Sequence, residues 1–580
     1  MIGLVSVTAA GARAAARVAA AWPDQTRHYE APAAEAVRRA WVDCDQLVCF
    51  LATGATVRLV APLLADKHTD PAVVCVDEAG RHAVALLGGH HGGPGGESGD
   101  GANRLAERVA AVLGADPVVN TATDATGLPG LDTLDLPVEG AVAAVSRAVL
   151  DGDPVQVHAE VAWPLPALPG TPSDRTAVQP GAESGTESGR AHRIVVTDRA
   201  LGGDDRTVLL RPPSLVVGVG ASRGVGADEI DRLVGESLAE AGLSPLSVGA
   251  MATVDAKADE PGIVAAAARL GLPLTTYPAS RLAEIEVPNP SSAPLAAVGS
   301  PSVAEAAALA ADGGGTLVVP KRKSAMATVA VARRRPRGRL ALVGLGPGAR
   351  DLLTPRAVAE LRAASVVIGL DQYLDQVCDL LRPGTQVHAS GLGDEEARAH
   401  EAVAQARTGR AVALVGSGDA GVYAMASPAL EVAGDDIDIV GVAGVTANLA
   451  AAALLGAPLG HDHAVVSLSD LHTPWEAIEA RVGAAAAGDF VVTFSNPRSH
   501  GRRRQLPRAL DLLRAHRPPE TPVGVVRDAT REEESVVLTT LADLDVDLVD
   551  MRSVVIVGST NTRTVAGRMV TPRGYRWLQP

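Results

Sequence analysis

Three groups of residues in this 580-residue chain have types and spacings suited to chemistry. In the C-terminal half, glycine loops end short apolar runs: LALVGLGPG (340–348), VALVGSGDAGVY (412–423) and IVGVAGVTAN (439–448). Glycine permits positive φ and close approach of a ligand to the backbone. A dinucleotide loop is one reading of G-x-G, since such loops hold pyrophosphate at helix N-termini. The spacing here is G-x-G-P-G instead, Pro347 removes a donor, and the helix starts later, with Thr354 as N-cap and Pro355 in its first turn. A second group is basic: Arg498, Arg502, Arg503 and Arg504, with Arg527 and Arg531 farther on. These read either as bidentate partners for carboxylates or as a solvated helix start.

The third group lies in the N-terminal half. His90 and His91 sit in LLGGHHGGPGGESGDGANRL, Arg223 in VGVGASRGVG, and Asp255, Lys257, Asp259 and Glu260 in MATVDAKADEPG. No G-K-[ST] follows the first loop, so it is not a phosphate loop. His90 and Glu260 are candidate bases, and Lys257 or Arg223 a candidate stabiliser of an oxyanion or carboxylate. The alternative is that Lys257 and Glu260 form a single ion pair. His461, His463 and His472 are joined by no Cys or Glu at ligand spacing, so no metal is expected.

These loops need a scaffold, and the chain supplies one repeatedly: a Val/Ile/Leu run, a turn, then an Ala-rich helix. That alternation predicts α/β modules on mostly parallel sheets. We expect modules at 1–130 and 214–333, separated by a variable region, 131–213, with a Pro/Gly/Ser/Thr-rich disordered insertion near 165–192. RRRPRGR predicts a basic linker, 334–339, after which subdomains at 340–460 and 461–580 follow.

Composition excludes several functions. Lys+Arg is 52 against Asp+Glu 67, a net charge of −15, which argues against a nucleic-acid or anionic-membrane footprint. Phe 3, Trp 5 and Tyr 5 leave few rings on which bases could stack. The four cysteines form no C-x-x-C pair and read as buried thiols of a reducing, cytoplasmic compartment. No apolar run is long enough for a membrane span.

In order, the glycine loops, SLSDLHTPW (467–475), FSNPRSHGRRR (494–504), TPVGVVRDATREEE (521–534) and SVVIVGSTNTR (553–563) make residues 340–570 resemble the tetrapyrrole methylases, which use S-adenosylmethionine. SLSDLHTPW and FSNPRS are most similar to precorrin-3B C(17)-methyltransferase. The family's G-x-G-D-P has Ala420 in place of proline. The resemblance implies a two-subdomain methylase fold, with the S-adenosylmethionine cleft between the subdomains. It is lined by Gly346, Pro347, Gly348, Gly418, Asp419 and Val422 from the first, and by Thr446, Ala447, Asn496 and Thr560 farther on. Arg223, Arg498, Arg503 and Arg527 would then bind the carboxylate-rich substrate, and the methylase half would form a homodimer.

The N-terminal half, through its GGH loop, Arg223, MATVDAKADEPG, VPNPSSAPL and LVVPKRKSAMATVAVAR, resembles the cobalt-precorrin-5A hydrolases, with an insertion near 93–100. That family opens a δ-lactone and releases acetaldehyde. The two resemblances imply a bifunctional enzyme of corrin-ring synthesis. A C(11)-methylation separates the two steps, so an assembly with other pathway enzymes is expected rather than an internal channel.

Overall fold

The computed structural model describes residues 1–580 apart from 67–68, 89–100, 120–129, 132–133, 135, 173–190, 292–300, 312–313 and 576–580. The chain divides into two compact units. One is 1–337 with 382–384; the other is 338–381 with 385–580.

The first unit carries three sheets. The N-terminal sheet contains β1 (Ile2–Ser6), β2 (Thr26–Tyr29), β3 (Gln46–Phe50), β4 (Ala72–Val76), β5 (His82–Leu87) and β6 (Asp116–Val118), in the order β2-β1-β3-β4-β5-β6. β1, β3 and β4 are parallel and buried at every position, as continuous Val/Leu/Ile runs require when helices cover both faces. Cys44, Cys49 and Cys75 are buried in this module, and burial pushes the Cys49 thiol up to about 12; Cys378 is exposed, contrary to expectation.

The middle sheet holds β7 (Val138–Gly140), β8 (Val155–Ala159), β9 (Thr171–Pro172), β10 (His192–Val196) and β11 (Thr207–Leu210), ordered β7-β11-β10-β8-β9. The start of the expected insertion is in fact structured: Leu165 and Leu168 pack on this core, and the rest of it lies mostly outside the described residues. The third sheet, β14-β13-β12-β16-β15, is built from β12 (Leu215–Ala221), β13 (Val248–Val254), β14 (Leu274–Tyr277) and the antiparallel pair β15 (Gly315–Lys323) and β16 (Ala327–Arg334). Asp198, 1% exposed, holds these two modules together by accepting from Ser214 Oγ and from the Arg333 guanidinium through both oxygens.

The second unit begins with a fully parallel sheet, β19-β18-β20-β17-β21. Its strands are β17 (Arg339–Gly344), β18 (Val366–Leu370), β19 (Gln386–Ser390), β20 (Ala411–Gly416) and β21 (Asp438–Val442). Thr354 caps the helix Pro355–Ala363 as expected, its Oγ1 accepting from Ala357 N–H at 3.2 Å. β22 (Gly456–Ala457), β28 (Arg563–Val565) and β29 (Arg568–Val570) form a small sheet. A mixed sheet, β23-β24-β27-β25-β26, completes the unit with β23 (His463–Ser467), β24 (Val491–Ser495), β25 (Pro522–Arg527), β26 (Ser535–Thr540) and β27 (Ser553–Val557).

Two expected boundaries move. The helix Ala447–Leu455 packs through Ala451 and Leu455 on Val491, Val526 and Ile556, so the second subdomain begins near 446. The basic linker shrinks to 335–338, because Arg334 ends β16 and Arg339 opens β17 in an ion pair with the buried Glu360.

Candidate functional site

In the parallel sheet, β17 and β20 are neighbours whose onward connections diverge, one toward β18 and the other toward β21. The crevice beyond their carboxyl ends is the topological switch point, where open α/β sheets bind ligands. Three glycine loops meet there. Gly346 and Gly418, at φ 75° and 69°, exchange backbone N–H···O bonds of 3.0 and 2.7 Å. A Cβ on Gly444 would lie 2.1 Å from Gly418 O, so only glycine allows this approach. Asp419 ties the loops together, its Oδ1 accepting from Gly421 N–H at 2.8 Å and its Oδ2 from Gly444 N–H at 3.0 Å.

Thr446 begins the helix Ala447–Leu455 without using its side chain as a cap, and Gly418 lies against Thr446 and Ala447. Asn448 Oδ1 is buried without a hydrogen-bond partner among the described residues. Backbone polar groups, a free hydroxyl and an unmet acceptor fit a ligand such as S-adenosylmethionine, whose amines need acceptors and which needs no metal. Among the described residues, no cluster of His, Cys, Asp or Glu could hold a metal.

Beside these loops a cavity of about 670 Å³ opens between the parallel and the mixed sheet of this unit. Gly416 and Ser417 line it from the end of β20, as do Tyr423, Met425 and the β23 segment Val465–Ser467. Tyr423, at φ 53°, crosses it: its hydroxyl donates to Val465 O at 2.9 Å and accepts from Ser467 N–H at 3.3 Å. Asn496, at φ 49°, also lines it and donates Nδ2–H to Ser467 Oγ at 3.1 Å. Arg481 and His472 also line it, and Arg481 has no ion-pair partner among the described residues. Sequence reading missed Arg481; the signal is its place in the helix Trp475–Ala487 between the core residues Ile478 and Val482.

Several expected contacts are corrected. Thr560 donates to Asp489, which precedes β24, whereas Asn496 follows it. Because β27 runs antiparallel to β24, the GST segment emerges at the end of the sheet away from the cavity. Pro347 O accepts from Arg531 Nε at 2.9 Å, and a Cβ on Gly348 would lie 2.6 Å from Arg531, so this turn is packed by the second subdomain and does not line the cavity. Val422, 40% exposed, lines an adjoining cavity together with Tyr423, Ala424 and Val465, which also line the first. Arg498 is spent on Val546 O and Asp547, and Arg527 on Asp550, Asp528 and Glu533. Arg503 is exposed and does not line the cavity. Arg502 instead turns inward, donating to Ser469 Oγ and Asn496 O.

In the first unit, His90 lies outside the described residues. Glu260 is a poor base. It is 7% exposed, its Oε1 accepts from Gly224 N–H at 2.7 Å and its Oε2 from Lys257 Nζ at 3.0 Å, and these donors hold its carboxyl below the usual range. Lys257 and the exposed Arg223 both line a cavity of about 560 Å³ at the end of β12.

Comparison with known proteins now adds identity. The family Tetrapyrrole (Corrin/Porphyrin) Methylases matches residues 339–545, Cobalamin synthesis G C-terminus matches 215–332, and Cobalamin synthesis G N-terminal matches 35–124. A Salmonella typhimurium protein named "Probable cobalt-factor III C(17)-methyltransferase" is 46% identical over 239 residues, 41% of this chain and 99% of that protein. The precorrin-3B C(17)-methyltransferase of Sinorhizobium sp is 39% identical over 41% of this chain and 97% of its own length. The Priestia megaterium cobalt-factor III methyltransferase is 41% identical, but this chain spans only 46% of it. The crystal structure of the methyltransferase CobJ matches 41% of this chain and 100% of its own at 39% identity, with a TM-score of 0.39. The second unit therefore belongs to the tetrapyrrole methylases, and the chain joins it to the two domains of the cobalamin synthesis G family.

Proposed function

We propose that the protein is a bifunctional enzyme of corrin-ring synthesis. The second unit methylates C(17) of precorrin-3B or its cobalt form and promotes ring contraction, and the first unit opens the lactone of a later intermediate, releasing acetaldehyde. The observation that carries the methylase reading is the Asp419-clamped meeting of three glycine loops at the switch point, beside a cavity large enough for part of a tetrapyrrole.

S-adenosylmethionine, when bound, supplies a sulfonium methyl that a ring carbon takes in line, forming a C–C bond as the C–S bond breaks and leaving S-adenosylhomocysteine. The protein's part is binding and orientation. Asp419 holds the Gly418 and Gly444 loops in register, and Thr446 Oγ1 and Asn448 Oδ1 offer polar contacts to the donor. Tyr423 and Asn496 fix the β23 edge of the cavity, and Arg481 meets a substrate carboxylate.

The family relationship supports a homodimer through the methylase unit and assembly with other enzymes of the route. Among the described residues no helix is long and apolar enough to cross a membrane. The four free thiols support a reducing, cytoplasmic setting. The test is turnover of the purified chain with S-adenosylmethionine and the metal-free and cobalt-loaded substrates side by side, followed by product mass and NMR. A single new methyl on C(17) is expected. Methylation at C(11), or on a siroheme precursor, overturns the assignment, and absence of acetaldehyde from the lactone substrate overturns the hydrolase half.

A further inference from the structure

The chain carries 48 arginines and only four lysines, Lys67, Lys257, Lys321 and Lys323. Three of those four line one cavity of about 560 Å³ in the 215–334 module. Arg223 adds a fourth cation to the wall, and no Asp or Glu is among the described residues that line it. Two buried carboxylates, Glu260 and Glu305, stand close behind, and a third, the half-buried Glu229, accepts from Ser324 Oγ and Met326 N–H of the wall. Glu260 takes Lys257, and Glu305 accepts from Asn289 and from the backbone N–H of Lys321. The amine of Lys321 itself donates to a neutral carbonyl, Asn289 O. The wall therefore sets four cations against three carboxylates, a small positive surplus, with Lys323 exposed and without an ion-pair partner among the described residues and Arg223 exposed and acting on Glu260.

The back of the cavity asks for a ligand as well. Ser302 lines it and is fully buried, yet among the described residues its Oγ has no hydrogen-bond partner, and it does not cap the helix Val303–Ala310 that it precedes. A buried hydroxyl is nearly always paired, so one left open beside a cavity marks a contact to be made. The first helical N–H groups point out of the same end, where they favour an anion. The glycines of VGVGASRG bring that end into place: a Cβ on Gly218 would lie 1.9 Å from Ala304 O, and one on Gly220 3.4 Å from Val303 Cβ. Only a glycine strand lets the helix start sit this deep over β12.

From these observations we infer that the cavity is a carboxylate-binding site, in which Ser302 Oγ and the helix start receive one carboxylate while Lys257, Lys321, Lys323 and Arg223 hold others of the same ligand. The ligand class is a polycarboxylate with arms on a broad ring. This identification rests on the reading that the first unit meets a tetrapyrrole. Lysine suits the task, because its amine is a point charge on a flexible stem that follows mobile acetate and propionate arms.

The rarity of lysine supplies the assay. The full chain is acylated at its amines with and without uroporphyrin III, and each lysine is followed by peptide mass spectrometry with Lys67 as reference. With the porphyrin about tenfold above its dissociation constant, mass action predicts about tenfold slower acylation of Lys323 and Lys257. The octamethyl ester of uroporphyrin III is expected to protect neither. Ser302→Ala and, independently, the surface change Lys323→Gln are expected to remove protection of Lys257 while leaving the melting temperature in place. Protection by the ester, equal protection by inorganic phosphate at the same concentration, or no protection at all overturns the site. If protection is present but acetaldehyde is not released from the lactone substrate, the hydrolase reading fails and this site stands. Acetaldehyde release without protection removes the site and leaves the hydrolase reading in place.

Discussion

Replacing Asp419 with alanine removes one carboxylate from two backbone donors, and the structure sets the scale of the loss. A hydrogen bond to a charged acceptor contributes about 1.5–3 kcal/mol, and a donor left with water in place of its partner loses less. Gly421 is exposed, so its N–H turns to solvent at small cost. Gly444 is half-buried between Gly344 and Gly418, where a replacement water finds little room. Together these put the loss at about 2–3 kcal/mol in any state where the loops keep their present register. If the free protein holds that register, the loss appears as a lower melting temperature. If the loops relax instead, reordering them costs binding energy, and the dissociation constant for S-adenosylhomocysteine rises by about 30–150-fold at 1.4 kcal/mol per decade. The two readings share one total, so melting curves and calorimetric titration of the full chain must be taken on the same preparation. Asp419→Asn keeps one acceptor but turns an NH2 toward the other donor, so it should recover no more than about half of the loss. If Asp419→Ala leaves both melting and affinity unchanged, the clamp is not what holds the loops and the reasoning is refuted.

Four other outcomes follow. Thr560→Ala should leave S-adenosylhomocysteine affinity untouched, since Thr560 binds Asp489 at the opposite end of the sheet from the cavity; titration showing a loss of more than about threefold would return it to the site. Arg481→Ala should raise KM for the tetrapyrrole at low salt without altering S-adenosylhomocysteine binding, whereas Arg503→Ala should change neither, and steady-state kinetics that reverse this order would remove Arg481 from the substrate. Glu260 has its folded pKa lowered, first by Gly224 N–H and then by Lys257, so its contribution is present above the unfolded value and disappears as pH falls below about 4; Glu260→Gln should flatten that part of an acid-melting curve, and an unchanged acid limb counts against it. A fragment of 338–580 should fold and melt higher with S-adenosylhomocysteine, and one of 1–337 should fold without responding to it; an insoluble C-terminal fragment would place the boundary elsewhere.

Much of the fold was legible because its strands are buried on both faces. Val366–Leu370 and Ala411–Gly416 are unbroken apolar runs followed by turn residues, and nothing but a covered parallel strand suits them. The cap at Thr354 was legible for the same local reason. Strand direction was not. GST after β27 has the composition of a binding turn, and only the antiparallel pairing of β27 with β24 sends Thr560 to the wrong end. Side-chain commitment was equally hidden. Arg498 and Arg527 looked free in sequence, yet Asp547 lies 49 residues from the first and Asp550 23 from the second, and no local pattern announces such pairs. Arg481, which does line the cavity, stands alone beside an alanine-rich stretch with no neighbouring motif to mark it.

The basic run RRRPRGR shows how the two units separate their charges. Read as a string, it is a cluster of like charges suited to an extended solvated segment. In the structure its outer members are drawn back into opposite units. Arg333, one residue before the end of β16, donates to both oxygens of the nearly inaccessible Asp198, which makes the pair a closing contact between two modules of the first unit. Arg339 opens β17 on Glu360, which also takes Arg356 four residues back along its own helix. Removing Arg333 takes the guanidinium from the buried Asp198, and removing Arg339 leaves Glu360 with Arg356 alone; each change falls within one unit. Gly338 marks the change of allegiance: its carbonyl accepts from Asp438 N–H in the second unit, and a Cβ there would lie 1.8 Å from Ala406 O. Each unit thus satisfies its terminal arginine from its own residues, which is the electrostatic condition for two enzymes joined in one chain to fold as two.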